Sequence, residues 1–238
     1  MSQHHTKIYE GKAYPTPIQV KVLDTWIERT RQLYNDLNHI LLTIHLSKYS
    51  SEAHLSGYPQ LLDNSDLDDI ASMFTDRFNN VPNNSSVVKS MLTYMKQQES
   101  HEHLQMIPRD ILNNAIDTLC EAWVRFNKLR RSNKHHRYNK GHQRYIVGVP
   151  NYKRRQDPLT ISMYGNKVKL IPDSPDTYRL PLIQPLKSSN TGIDALKIVV
   201  ATGPIKGYLH KVSITRTVDK QYVVTIITNP LPIALHQD

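Results

Sequence analysis

Between Arg125 and Arg155 the chain carries Arg125, Lys128, Arg130, Arg131, Lys134, Arg137, Lys140, Arg144, Lys153, Arg154 and Arg155, interleaved with Tyr138, Tyr145 and Tyr152, and neither Asp nor Glu. The chemistry this composition suits is polyanion binding. Lys and Arg on phosphates release condensed counterions, and a tyrosine ring offers a base a stacking face. A solvated surface mixes both signs of charge, so the missing carboxylates favour nucleic acid over a bare solvent-facing loop. These residues are the candidate nucleic-acid contacts, and for Tyr152 a strand-end core position stands equally beside stacking.

Other chemistries find less support. Twelve histidines are present, with groupings at His101-x-His103, His135-His136 and His142. Adjacent or i, i+2 histidines point in different directions, no paired cysteine joins them, and a closed zinc site is not expected. The single cysteine, Cys120, lies on an apolar helical stripe without an obvious base, and there is no Gly-x-Ser-x-Gly; nucleophilic hydrolysis is therefore not expected. Gly203-Pro204-Ile205-Lys206-Gly207 lacks the spacing and following helix of a phosphate loop. Two-metal phosphoryl chemistry needs converging carboxylates. The dense acidic group, Asp63, Asp66, Asp68, Asp69 and Asp76, reads as a solvated, helix-capping face. The chain is expected to bind rather than catalyse, with no metal and no cofactor.

A chain of 238 residues, 39% hydrophobic, has enough apolar surface for a core, and its length suits one large domain or two smaller ones. The formal charge of +9 fits a polyanion partner. No apolar run approaches the roughly 18 residues of a membrane span, and the polar start has no signal-peptide core. A cytoplasmic protein without a membrane partner is expected.

The elements that must carry the cations fall into two textures. Lys7 to Tyr14 reads as a strand, and Thr16-Pro17 supplies a helix N-cap followed by proline at the first helical position. From Ile18 to Ile44 apolar residues recur every three or four positions, which predicts a long amphipathic helix. Shorter helices are predicted over Ser65 to Phe74 and over Val87 to Lys96, the latter capped by Ser85-Ser86. A fourth opens at Ile107-Pro108 and runs into Lys128, Arg130 and Arg131, which suit its C-terminal dipole. Beyond Gly141, strands are predicted at 145–149, 159–164, 167–170, 178–182, 197–201, 208–217 and 221–228, with 172–190 otherwise a long loop. Turn chemistry at Tyr164-Gly165-Asn166-Lys167 and Val218-Asp219-Lys220-Gln221 predicts two hairpins.

The order of these features resembles the N-terminal part of the TnpB/OrfB-type transposon-encoded RNA-guided nucleases, which are related to type V CRISPR effectors. The resemblance rests on several collinear segments: Tyr14-Pro15-Thr16-Pro17-Ile18-Gln19, similar to the family's Tyr-Pro-Thr-x-x-Gln opening, with Tyr34-Asn35 further along; Ile107 to Ile116 leading to Ala122-Trp123-Val124-Arg125-Phe126; Pro150-Asn151-Tyr152-Lys153-Arg154-Arg155, similar to a Pro-Arg-Phe-Lys segment with Asn for Arg and Tyr for Phe; Lys167 to Leu170 and Arg179 to Leu182; and Gly203 to Gly207 running through Ser213-Ile214-Thr215-Arg216 and Tyr222-Val223-Val224. It implies an α+β fold in which a helical recognition bundle is inserted into a β-barrel wedge domain. The implied parts are residues 1–14 as the first barrel strand, 15–140 as the helical domain with its basic linker, and 141–238 as the rest of the barrel. It also implies contacts to a structured guide RNA and to target DNA. The family's RuvC-like nuclease and zinc ribbon have no counterpart in the sequence, so nuclease activity is not carried over.

Three readings follow. The favoured one is a guide-RNA- and DNA-binding module without a nuclease centre of its own, in which Lys and Arg track phosphates while pairing with the guide reads sequence. A second is the recognition subunit of a split nuclease, docked through the apolar run Val223-Val224-Thr225-Ile226-Ile227 to a separately encoded partner. The third is a truncated transposase-like binder of duplex DNA that places the Pro108 to Leu129 helix in the major groove.

Overall fold

Local chemistry starts the first helix. The Thr16 hydroxyl accepts from the Gln19 N–H at 3.3 Å while Gln19 Oε1 accepts from the Thr16 N–H at 3.0 Å. This is a reciprocal capping box with Pro17 at the first helical position. In the computed structural model, which describes residues 6–49, 65–75, 84–98, 101, 104–105, 107–136, 149–165, 169–181, 195–200 and 203–230, without the side chains of 132–136, the elements are strand β1 (Lys7–Tyr14), helices α1 (Pro17–Lys48), α2 (Ser65–Thr75), α3 (Ser85–Met95) and α4 (Arg109–His136), and strands β2 (Leu159–Tyr164), β3 (Ile171–Pro172), β4 (Thr177–Leu180), β5 (Leu196–Val200), β6 (Tyr208–Arg216) and β7 (Tyr222–Asn229). The fold class is α+β. The cap of α3 is Asn84, whose side chain accepts from the Ser86 N–H, one residue ahead of the serines expected there.

The strands make one curled antiparallel sheet in the order β2-β6-β7-β1-β5-β4-β3. The first strand therefore lies between β7 and β5, with Gly11 opposite both Val224 and Val200. Alternation sets the faces: Tyr222, Val224, Ile226 and Thr228 of β7 are buried, and the residues between them are half-buried. Val224 and Ile226 of the apolar run Val223 to Ile227 thus turn into the core. The β6–β7 turn forms as expected, with Thr217 and Gln221 closing a three-residue loop and Lys220 at φ 59°. The turn of the other expected hairpin falls on 166–168, outside the described residues; among the described residues β2 lies against β6, and β3 against β4 at the far end of the sheet. Lys169 and Leu170 precede β3 as non-strand residues, while 166–168 and 145–148 lie outside the described residues. Asn114 near the start of α4 covers the edge of β2, its Nδ2 donating to the Ser162 carbonyl at 3.0 Å.

By contacts the chain divides into two compact units. One comprises Met1–Arg29, Met106–Asn114 and Arg155–Asp238; the other comprises Thr30–Gln105 and Ala115–Arg154. In the first, Asp24 on α1 accepts from the Tyr222 hydroxyl at 2.6 Å and from Arg216 Nη1 at 2.9 Å, which ties the helix to the β6–β7 hairpin. Burial and the Asp24 bond push the Tyr222 phenol up. In the second, the buried faces of four helices supply the core, among them Leu33, Leu37 and Leu41 of α1, Ile70 of α2, Met91 of α3 and Trp123 of α4. Cys120 is buried there and, by desolvation first, its thiol is pushed up to about 11, as suits a small core hydrophobe. No helix among the described residues is long and apolar enough to cross a membrane.

Candidate nucleic-acid interface

The second unit holds two stretches of the basic segment on one framework. The first is the later part of α4. Its inner face packs Trp123 and Phe126 with His45 and Tyr49 of the α1 end: the His45 ring lies 5.6 Å from Trp123, 5.4 Å from Phe126 and 5.0 Å from Tyr49. The Arg130 guanidinium closes this cluster, 4.1 Å over the Tyr49 ring. Arg125, Lys128 and Arg131 are on the opposite side and exposed, with Val124 and Leu129 exposed between them. The three cations recur at three-residue steps, about 4.5 Å of helix rise apart. Because α4 continues to His136, Lys128, Arg130 and Arg131 sit more than a turn inside the helix end. The dipole, which fades within the last turn, does not account for their placement.

The second stretch, Val149 to Arg154, lies along α1 as a strap held by side chains of that helix. Asn38 Nδ2 donates to the Pro150 carbonyl at 2.8 Å, while Asn38 Oδ1 accepts from Trp123 Nε1 at 3.0 Å. Asn35 grips both backbone groups of Lys153: Oδ1 accepts from its N–H at 2.8 Å and Nδ2 donates to its carbonyl at 3.0 Å. Arg31 Nη1 donates to the same carbonyl at 3.2 Å. The Tyr152 hydroxyl reaches His39 Nδ1 at 3.4 Å, and His39 Nε2 lies 2.8 Å from Asp68 Oδ1 of α2. With Nε2–H donating to the carboxylate, Nδ1 is the acceptor for the tyrosine. Positions 31, 35 and 38 share one helical face, so a ladder of polar groups does for the strap what a neighbouring strand would do.

This framework sorts the candidate cations. The Lys153 ammonium lies 4.4 Å over the ring of Tyr34, whose phenol burial pushes up. Arg154 is exposed. Arg155, in the first unit, is 83% exposed with its Nε 3.7 Å from Glu28 Oε1, a pairing worth little at such exposure. Tyr152 is half-buried against His39. Lys134 is on α4 with its side chain outside the described residues, as are Arg137, Tyr138, Lys140, Arg144 and Tyr145 altogether. The outward set is therefore Arg125, Lys128, Arg131, Arg154 and Arg155, while Arg130 and Lys153 have their charge over aromatic rings.

Sequence reasoning missed Asn35, Asn38 and His39. The available signal was three polar residues within the apolar stripe of α1, where a polar group at a core position needs a partner. His101 is buried too, 3.8 Å from Asp36 Oδ2. Among the described residues no three His, Cys, Asp or Glu side chains group as a metal site would. No protein-family model matches the chain, and no curated protein matches its sequence.

Proposed function

We propose that this chain is a nucleic-acid-binding module of a TnpB/OrfB-like transposon protein, which holds a structured guide RNA and its target DNA. The observation that carries the reading is the carboxylate-free stretch from Arg125 to Arg155, together with the outward placement of Arg125, Lys128, Arg131 and Arg154. A run of cations with no carboxylate within it attracts phosphate, and a strap fixed by the ladder on α1 presents Arg154 without first having to be ordered. The element order supports the finer architecture, a helical recognition bundle inserted into a wedge-like barrel: all four helices fall between β1 and β2, yet β1 pairs with β5 and β7.

The test is to purify the chain from cells of its source and sequence the RNA that survives a high-salt wash. Enrichment of one structured RNA is expected. With that RNA, R154E/R155E should bind more weakly, and the slope of log affinity against log salt should fall by about 0.7 for each single-strand phosphate that the variant no longer neutralises. Random RNA that washes away, or a double variant indistinguishable from the parent, would overturn the reading.

A further inference from the structure

The outer face of the sheet offers a second surface of related chemistry, and a single bulged residue creates it. From Arg216↔Tyr222 to Lys211↔Ile227 the β6–β7 pairing is regular, and it resumes at Leu209↔Thr228 and Tyr208↔Asn229, leaving His210 without a partner on β7. An inserted residue shifts the alternation by one. Without it, Tyr208 would share the face of Val212 and Ile214, which are fully buried. With it, Tyr208 shares the face of Asn229 and is 57% exposed.

Two glycines keep the bulge in place. The Gly165 N–H at the end of β2 donates to the His210 carbonyl at 2.7 Å, and a Cβ on Gly165 would collide with the Leu209 carbonyl oxygen. Gly207, at φ +103°, passes so close to the Asn229 carbonyl that no side chain fits. The preceding loop is fixed as well: the Lys206 N–H donates to the Tyr9 hydroxyl at 3.0 Å, and its carbonyl accepts from Thr228 Oγ1 at 2.8 Å. A rigid backbone thus holds an exposed ring with exposed Lys206 and His210 beside it in sequence and half-buried Lys211 on the same sheet face. No carboxylate occurs from Gly203 to Val218.

We propose that Tyr208, Lys206 and Lys211 form a contact site for single-stranded nucleic acid, a base stacking on the Tyr208 ring and the flanking phosphates meeting the two lysines. Charge favours this occupant over a protein partner, because cations flanking an exposed aromatic suit a polyanion with π-faces. The inference rests on the nucleic-acid reading of the chain and adds a binding surface on the unit that does not carry the basic end of α4.

The experiment measures binding of a fluorescein-labelled, single-stranded polyuridine RNA of about 12 nucleotides to the full chain and to Y208A, Y208F, K206E/K211E and R154E/R155E. Stacking on one ring predicts a loss of roughly 5- to 150-fold for Y208A, with the salt slope unchanged because the ring is uncharged. Y208F, which keeps the ring, should stay within about twofold of the parent, and K206E/K211E should lower the slope. Tyr208 is exposed, so melting curves of the variants should superimpose on the parent's. If the parent binds and R154E/R155E weakens it while Y208A changes nothing, the site is wrong and the nucleic-acid reading stands. Equal losses in Y208F and Y208A would assign the effect to the hydroxyl and overturn stacking. A parent that binds no RNA overturns both.

Discussion

Replacing Asn38 by alanine removes one amide with two partners. Its Oδ1 accepts from Trp123 Nε1 and its Nδ2 donates to the Pro150 carbonyl. Asn38 and Trp123 are both fully buried, so the indole N–H has no route to water and bears the whole penalty of a missing acceptor, about 1–3 kcal/mol. Pro150 is half-buried, and its carbonyl regains some hydration; adding a cost of about 1 kcal/mol there gives about 2–4 kcal/mol for N38A. At Asn35 the partners are the backbone groups of half-buried Lys153, and Arg31 still reaches the carbonyl. N35A should therefore cost about 1–2 kcal/mol, within the usual net value of two accessible hydrogen bonds. Trp123 reports on the change directly. In a W26F background it is the chain's one remaining indole, and urea titration followed by its emission gives the midpoint shift at constant slope. A cost for N38A below about 1 kcal/mol, or below that of N35A, would mean the strap and α4 are not joined through Asn38, and the ladder would lose its central member.

K153M keeps the stem over Tyr34 and deletes only the ammonium, so it should cost about 0.5–2 kcal/mol by urea titration and leave the salt slope of RNA binding unchanged, whereas R154E/R155E should do the reverse. K220G should stabilise the fold by about 1 kcal/mol, read as a higher urea midpoint at constant slope, since Lys220 holds a left-handed conformation that glycine adopts without a Cβ penalty. The Asp176 carboxyl is held below the usual range, first by the Ser174 hydroxyl and then by that of Thr177. A lowered folded value stabilises above the unfolded pKa and is lost as pH falls through the folded one. S174A should therefore move the Asp176 titration, followed by carboxyl NMR, upward toward the ordinary carboxylate range. An unmoved titration would remove Ser174 as the cause.

What could be read from the sequence was what the chain decides locally. Thr16, Pro17 and Gln19 start α1 by bonds spanning three residues, and Thr217 to Gln221 turn β6 into β7 by bonds spanning four. Gly165 also answers a distant demand: it is small so that β2 can pass the Leu209 carbonyl, a requirement set more than forty residues away. The partners of Asn35 and Asn38 could not be read locally, since the strap lies 118 and 112 residues on. Composition picked out the cations, but distances were needed to separate Arg131 and Arg154, which face outward, from Arg130 and Lys153, which lie over rings. The residues that carry the family resemblance divide the same way. Thr16 and Gln19 cap a helix, Asn114 covers a strand edge, Pro150 and Lys153 are docked by their backbones, and Gly207 clears a carbonyl. Such residues can recur wherever this scaffold recurs, whatever it binds. A test of function therefore has to act on exposed cations such as Lys128, Arg131 and Arg154 rather than on these scaffold residues.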